Sequence, residues 1–475
     1  MEKHIIGRDQ EKKILSQMLA SHSPELLAIY GRRRVGKSFL VTEFFEEKAV
    51  FFEAIGAKYE SKKAQLRRFL REIDQVFGGA GEDSIDNDWD GAFDLLVSKV
   101  NQTIEKNPDR KIVLFFDEIP WLDSKRSKFL SALEYVWNKN FCKQRYQNVK
   151  IVICGSSASW MIKKVITNKA GLHNRLTAII RLQPFSLQEV ELFLQAKEIY
   201  FDRKQIVDLY MIFGGIPKYL DQIKRGQSIG EIVEHLLLNK DGYLYNEFDE
   251  LYSSLFDDYK FHMDVIRELS QKMIGLSQSE LINAGQLSGG GHAVSILREL
   301  EESGFIMSIP LHGNKKKGKL YRLVDEYSLF YLKWIADKKI PKSSWAHRMN
   351  SQAYHIWSGY QYENLCFKHL YQIKSKLGIQ GVFTEFSCWY DHTAQIDLLI
   401  ERADKAIHLC EIKYYEDKIA DPKSIAESFI KKARSFKAAT QTKSLLIKTL
   451  ISTYGLVTNS DKIDKNIVLD DLFIT

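Results

Sequence analysis

The chain has 475 residues, of which 45% are hydrophobic and 27% charged, with a formal net charge of +7. That composition is ordinary for a globular protein and sufficient for two to four cored domains without a metal or disulfide staple. It excludes a membrane span, since no run approaches the ~20 apolar residues needed. It also excludes a disulfide framework or zinc ribbon, since Cys142, Cys154, Cys366, Cys388 and Cys410 are odd in number and contain no Cys-x-x-Cys pair. The start Met1-Glu2-Lys3-His4 leads into a polar helical pattern with no apolar leader, so a cytoplasmic location with no membrane partner is expected. The mild positive charge permits nucleic-acid binding without requiring it.

In chain order, residues 1–180 alternate apolar runs with amphipathic stretches. Leu26–Tyr30, Val50–Glu53, Ile112–Phe116 and Ile151–Cys154 are predicted as buried strands with helices between them. After the first lies Gly31-Arg32-Arg33-Arg34-Val35-Gly36-Lys37-Ser38, a full G-x-x-x-x-G-K-[ST]. Its glycines let main-chain N–H groups wrap phosphate. Lys37 is placed to reach the β and γ phosphates, and Ser38 to hold Mg²⁺. The amphipathic helix that follows, opened by Phe39, offers its positive end to the same anion. Ile112–Phe116 delivers Asp117 and Glu118 to a strand end, Asp117 for Mg²⁺ and Glu118 to polarise the attacking water. Ser156, in Cys154-Gly155-Ser156, ends the next strand as a candidate γ-phosphate sensor or simply a turn. Arg175 is a candidate γ-phosphate contact, in cis or in trans, or a surface arginine.

Residues 181–244 are predicted all-helical, broken at Gly214-Gly215-Ile216-Pro217, and residues 245–340 as a helix-turn-helix with a basic hairpin. In the latter, Leu276–Ile282 is a capped helix start and Ala293–Ser303 a second helix. Gly304–Ile306 and Leu320–Leu323 are strands flanking His312-Gly313-Asn314-Lys315-Lys316-Lys317-Gly318-Lys319. A winged helix results, whose lysine loop can touch DNA phosphate or be merely solvated. Residues 341–475 return to mixed α and β. Asp397 enters the strand Gln395–Ile400, and Glu411-x-Lys413 ends the strand His408–Lys413 with both side chains on one face. Asp397 and Glu411 on adjacent strands are candidates to share a divalent metal, with Lys413 positioning water and Glu363 completing the set from a preceding helix.

The order of these motifs resembles that of STAND and origin-recognition-like AAA+ ATPases. Ile5-Ile6-Gly7-Arg8-Asp9-Gln10-Glu11 is similar to their opening hydrophobic-hydrophobic-Gly-Arg-Glu-x-Glu motif, with Asp9 where Glu is usual. Gly215-Ile216-Pro217 is similar to the Gly-x-Pro of their helical lid. The whole chain resembles the archaeal-type P-loop ATPase family. The resemblance implies an αβα P-loop core over 1–180 and a helical lid over 181–244, with a winged helix over 245–340. It also implies a C-terminal restriction-endonuclease-like α/β domain over 341–475, of the PD-(D/E)xK kind, with Ile396 in place of the usual proline. It places adenine against Gly7, Arg8 and Pro217, and the phosphates against Gly31, Arg34, Val35, Gly36, Lys37, Ser38 and Phe39.

The expected activity is Mg²⁺-dependent ATP hydrolysis to ADP, directed at or regulated by double-stranded DNA, with a second divalent metal in the C-terminal domain if that domain cuts. The alternative is a STAND-like nucleotide switch, homo-oligomeric or bound to protein partners, whose nuclease-like domain is inactive.

Overall fold

The structure is a computed structural model. It describes residues 5–79, 88–124, 127–168, 171–256, 258–284, 290–313, 318–336, 344–458 and 460–474. The chain divides into two compact units, one ending at Pro184 and the other beginning at Phe185. Among the described residues no helix is long and apolar enough to cross a membrane.

In the first unit, strands β1 (Glu25–Tyr30), β2 (Val50–Ile55), β3 (Ile112–Asp117), β4 (Val149–Gly155) and β5 (Ala178–Arg181) form one sheet in the order β2-β3-β4-β1-β5. All four of its pairings are parallel. β3 and β4 are buried along their whole length. Strands covered on both faces are expected to be largely apolar, as these are apart from the buried Lys150 and the terminal Asp117. The covering layer is aromatic: Phe69 meets Phe52 at 5.3 Å and Trp89 at 5.4 Å edge-to-face, and Trp89 meets Phe129 at 4.7 Å. β5 was not among the predicted strands. It is a four-residue edge strand in which only Ile180 is buried.

The second unit contains what the sequence divides at 244 and 340, held as one compact body. The helix Arg203–Phe213 carries Asp208, which is 3% exposed and accepts from Tyr414 Oη at 2.8 Å, Lys204 Nζ at 2.9 Å and Tyr354 Oη at 3.3 Å. Gly214, at φ 63°, ends that helix. A Cβ there would lie 2.8 Å from Glu326 Oε2, and Glu326 also accepts from Lys368 Nζ at 2.6 Å. Buried ion pairs of this kind fix register between elements, because breaking one strands a charge in the interior.

Within this unit β6 (Leu276–Ser277), β7 (Ile306–Pro310) and β8 (Lys319–Leu323) form a three-stranded antiparallel sheet in the order β6-β8-β7. Ser277 caps the helix Gln278–Asn283 through a reciprocal box with Glu280, and the helix Gly291–Glu302 follows. The loop lysines Lys315, Lys316 and Lys317 lie outside the described residues.

The C-terminal sheet contains β9 (Thr384–Tyr390), β10 (Gln395–Arg402), β11 (Ala406–Lys413), β12 (Leu445–Ser452) and β13 (Lys465–Val468), in the order β13-β12-β11-β10-β9. β9, β10 and β11 are an antiparallel meander. β12 is parallel to β11 and reached through the helix Pro422–Thr440.

Candidate functional site

The loop after β1 has the backbone its sequence demands. Gly31 and Gly36 stand at φ 152° and 92°, and Arg34 at φ 71°. A Cβ on Gly31 would lie 2.3 Å from Leu182 O, so no side chain fits there. The helix Lys37–Phe45 begins at once, with Phe39 43% exposed on its first turn. Lys37 is 5% exposed and its Nζ donates to Gly31 O and Arg32 O, both at 3.1 Å, so the ammonium is held inside the loop. Arg8, at φ 57° and 6% exposed, donates to Gln183 O at 2.7 Å and to Val35 O at 3.2 Å. The Gly7-Arg8 segment is thereby buttoned onto the loop, beside the buried Val35.

Three strand ends converge here, as they do at the carboxyl edge of open parallel sheets. Ser38 Oγ donates to Asp117 Oδ2 at 2.5 Å, and Glu118 N donates to Asp117 Oδ1 at 2.8 Å. Glu118 is itself in the left-handed region at φ 47°, and its Oε2 accepts from Ser156 Oγ at 2.8 Å and Ser156 N at 3.1 Å. The structure therefore brings Lys37, Ser38, Asp117, Glu118 and Ser156 into one site. Ser156 acts on Glu118 there. A hydroxyl and a carboxylate converging beside a phosphate-binding loop are the oxygen donors Mg²⁺ takes, so the residues present fit that ion.

Arg175 is not brought to this group. Its guanidinium donates to Asn138 Oδ1 at 2.6 Å and to Gly171 O, and pairs with Glu134 at 3.3 Å. Pro217 belongs to the second unit, at the first turn of the helix Pro217–Leu220.

Sequence reasoning missed Glu53. It stands opposite Phe115 on β3, two positions before the Ile55–Asp117 pair. Burial, then the Asp117 carboxylate, pushes its pKa from 4.5 to about 7. A carboxyl raised in the folded state stabilises below its unfolded pKa, and that contribution is lost as pH rises from 4.5 through about 7. Glu53→Gln is therefore expected to melt with wild type at pH 4.5 and about 2–4 °C higher at pH 8, a modest shift because the site is partly solvated. Equal melting at both pH values would show Glu53 ionised without cost.

In the C-terminal sheet the register Leu398–Cys410 sets Asp397 beside Glu411, and the β9–β10 ladder is irregular between Ile396 and Leu399, at Asp397. Such bulges re-aim a side chain. Asp397 Oδ2 accepts from Ile412 N at 3.0 Å, and burial followed by Glu363 and Glu411 raises its pKa to about 7. A shallow depression is lined by Arg322, Glu363, Cys388, Tyr390, Gln395 and Asp397, among others. The predicted acids are thus together, but two are already answered by the chain's own cations. Arg322 of β8 pairs with Glu363 at 2.9 Å. Glu411 pairs with Lys413 at 2.9 Å and also with Lys432. Among the described residues no three His, Cys, Asp or Glu side chains are grouped to hold a metal. The metal expected on Asp397 and Glu411 does not fit this donor set as it stands, because the positive charge it would supply is already in place. Arg322 and Lys432 carry no local motif. Each is one of at least two basic residues in its strand or helix.

Residues 6–223 match a family model described as an ATPase domain predominantly from Archaea, and residues 336–425 one described as archaeal and bacterial proteins of unknown function. An uncharacterised protein of Methanocaldococcus jannaschii is 23% identical over 444 residues, covering 90% of this chain and 92% of its own. Among solved structures, a Walker-type ATPase of Pyrococcus abyssi is similar at TM-score 0.51 and 17% identity, over 69% of this chain and 96% of that one. An ORC2 protein of Aeropyrum pernix follows at TM-score 0.42 and 15% identity, over 70% and 95%. Over residues 6–223 the chain thus matches the ATPase domain found predominantly in Archaea, and the parallel sheet with its phosphate loop is the fold on which that match lies.

Proposed function

We propose that the first unit hydrolyses ATP with Mg²⁺ and that hydrolysis is coupled to DNA. The observation that carries the first half is the hydrogen-bonded run Ser38–Asp117–Glu118–Ser156 at the mouth of the loop. Gly31 to Ser38 cradle the phosphates, and Lys37 exchanges its carbonyl partners for phosphate oxygen. Ser38 and Asp117 would hold Mg²⁺, which when bound neutralises developing charge on the phosphates. Glu118 takes the proton of the attacking water, and Ser156 fixes the carboxylate that does so. Gly7 and Arg8 are the proposed adenine contacts within this unit, with Arg34, Val35 and Phe39 around the phosphates. Arg175 is proposed to act in trans, in a homo-oligomer, after leaving Glu134.

The DNA half rests on the two helices and three-stranded sheet of residues 276–323, which have the order of a winged helix. The C-terminal sheet, with a helix before it, an antiparallel meander and a parallel return strand, supports a nuclease-like fold for residues 341–475. The cations on Glu363 and Glu411 favour a resting state that binds and does not cut. Phosphate release is therefore expected to rise several-fold with duplex DNA while a supercoiled plasmid stays intact in Mg²⁺. Turnover indifferent to DNA would replace this reading with the STAND-like switch bound to a protein, and Asp397-dependent nicking would make the second centre a nuclease.

A further inference from the structure

The segment from Lys58 to Glu72 contains six lysines and arginines against two glutamates, a net +4 in a chain whose total is +7. It follows β2 at the carboxyl edge of the parallel sheet. The helix Lys62–Phe77 buries Gln65, Leu66, Phe69 and Ile73 and leaves Lys63, Arg67, Arg68 and Arg71 exposed. Lys63, Arg67 and Arg71, four apart, make one stripe about 12 Å long. The neighbouring acids are Glu60, which pairs with Arg68, and Glu72 and Asp74 on the same helix.

Two further observations separate this surface from an ordinary solvated face. Tyr59 is 93% exposed and sits at φ 66°, a backbone region costly for a tyrosine, with Lys58 Nζ 5.1 Å from its ring centre. The segment is also fastened to the main chain of Asp117, Glu118 and Trp121. Gly56 N donates to Asp117 O at 2.9 Å, and a Cβ on Gly56 would lie 2.4 Å from Glu118 O. Gln65 Nε2 donates to Trp121 O at 2.9 Å, and Lys58 Nζ lies 5.0 Å from the Trp121 ring centre.

We propose that this surface binds an unpaired stretch of nucleic acid, with phosphates along Lys63, Arg67 and Arg71 and a base stacked on Tyr59, and that binding is communicated to Asp117 and Glu118 through Gly56 and Trp121. A cationic track beside an exposed aromatic is what sequence-independent single-strand binding requires. The proposal deepens the reading above and rests on its claim that the chain acts on nucleic acid.

The test is fluorescence anisotropy of labelled oligothymidine with the full chain at 50 and 200 mM salt, with ATP turnover measured alongside. Arg67→Glu/Arg71→Glu is expected to weaken binding at least about 30-fold at low salt and flatten its salt dependence. Tyr59→Ala is expected to weaken it about tenfold with the salt dependence kept, and to leave heparin binding unchanged. Both should raise the oligonucleotide concentration that half-stimulates turnover by the same factors. Lys224→Glu/Arg225→Glu, the same charge change on the second unit, controls for net charge, and melting midpoints control for folding. Wild-type affinity in both patch variants overturns this surface while leaving the wider nucleic-acid reading standing. No binding by wild type overturns both.

Discussion

Glu118→Gln is expected to keep ATP affinity within a few-fold of wild type and to slow hydrolysis by about 10²–10⁴-fold, the range a positioned general base contributes. The amide preserves the acceptor that Ser156 Oγ and N use, at 2.8 and 3.1 Å, so the left-handed turn at Glu118 survives. What is lost is the charge that draws the proton from water. Lys37→Ala should behave differently, losing nucleotide affinity as well as turnover, since it removes the cation aimed at the phosphates. Single-turnover hydrolysis together with a fluorescent-nucleotide titration separates the two. If Glu118→Gln hydrolyses ATP at the wild-type rate, the base lies elsewhere and Glu118 is only the partner of Ser156.

Glu411→Ala and Asp397→Asn are expected to move stability in opposite directions. Glu411 is 5% exposed and answers both Lys413 and Lys432, so its removal leaves two ammonium groups without their shared partner. Breaking a buried pair in this way costs about 3–5 kcal/mol, and the more solvated Lys413 brings the figure toward the lower end. Asp397 is in the opposite position. Burial and the carboxylates of Glu363 and Glu411 hold its pKa at about 7, well above the ordinary 3.8. A carboxyl raised in the folded state loses its stabilising contribution as pH rises through that value. Asp397→Asn should therefore melt above wild type at pH 8 and no higher at pH 4. Thermal melts of the three proteins at the two pH values measure this directly. A centre poised for metal, with free carboxylates, would instead tolerate Glu411→Ala and be stabilised by it.

The contrast between the two sites explains what the sequence could show. The nucleotide site is built from residues adjacent along the chain, and its strands are apolar runs long enough to stand out, so Gly31–Ser38 and Asp117–Glu118 were legible with their strands. β5 was not, because Ala178-Ile179-Ile180-Arg181 is short and buries a single side chain at the sheet edge. In the second unit the pattern Asp397, Glu411, Lys413 was legible as period-two strand chemistry. Its neutralisation was not, since Arg322 and Lys432 reach it from elements remote in sequence and no local spacing marks them. The boundaries at 244 and 340 followed changes in local pattern. Asp208 and Glu326 bind those segments into one unit through partners up to 206 residues away. Tyr59 belongs to the same class: nothing in Ala57-Lys58-Tyr59-Glu60 announces a left-handed tyrosine, and only the backbone reveals it.

The account stands on one claim, that the loop Gly31–Ser38 and the carboxylates Asp117 and Glu118 hydrolyse ATP. The most direct measurement is steady-state phosphate release with ATP and Mg²⁺ by wild type and Lys37→Ala, each with EDTA as a blank. The account predicts turnover in wild type that EDTA abolishes and Lys37→Ala reduces to background. Equal release by the two proteins, or release indifferent to EDTA, would contradict it.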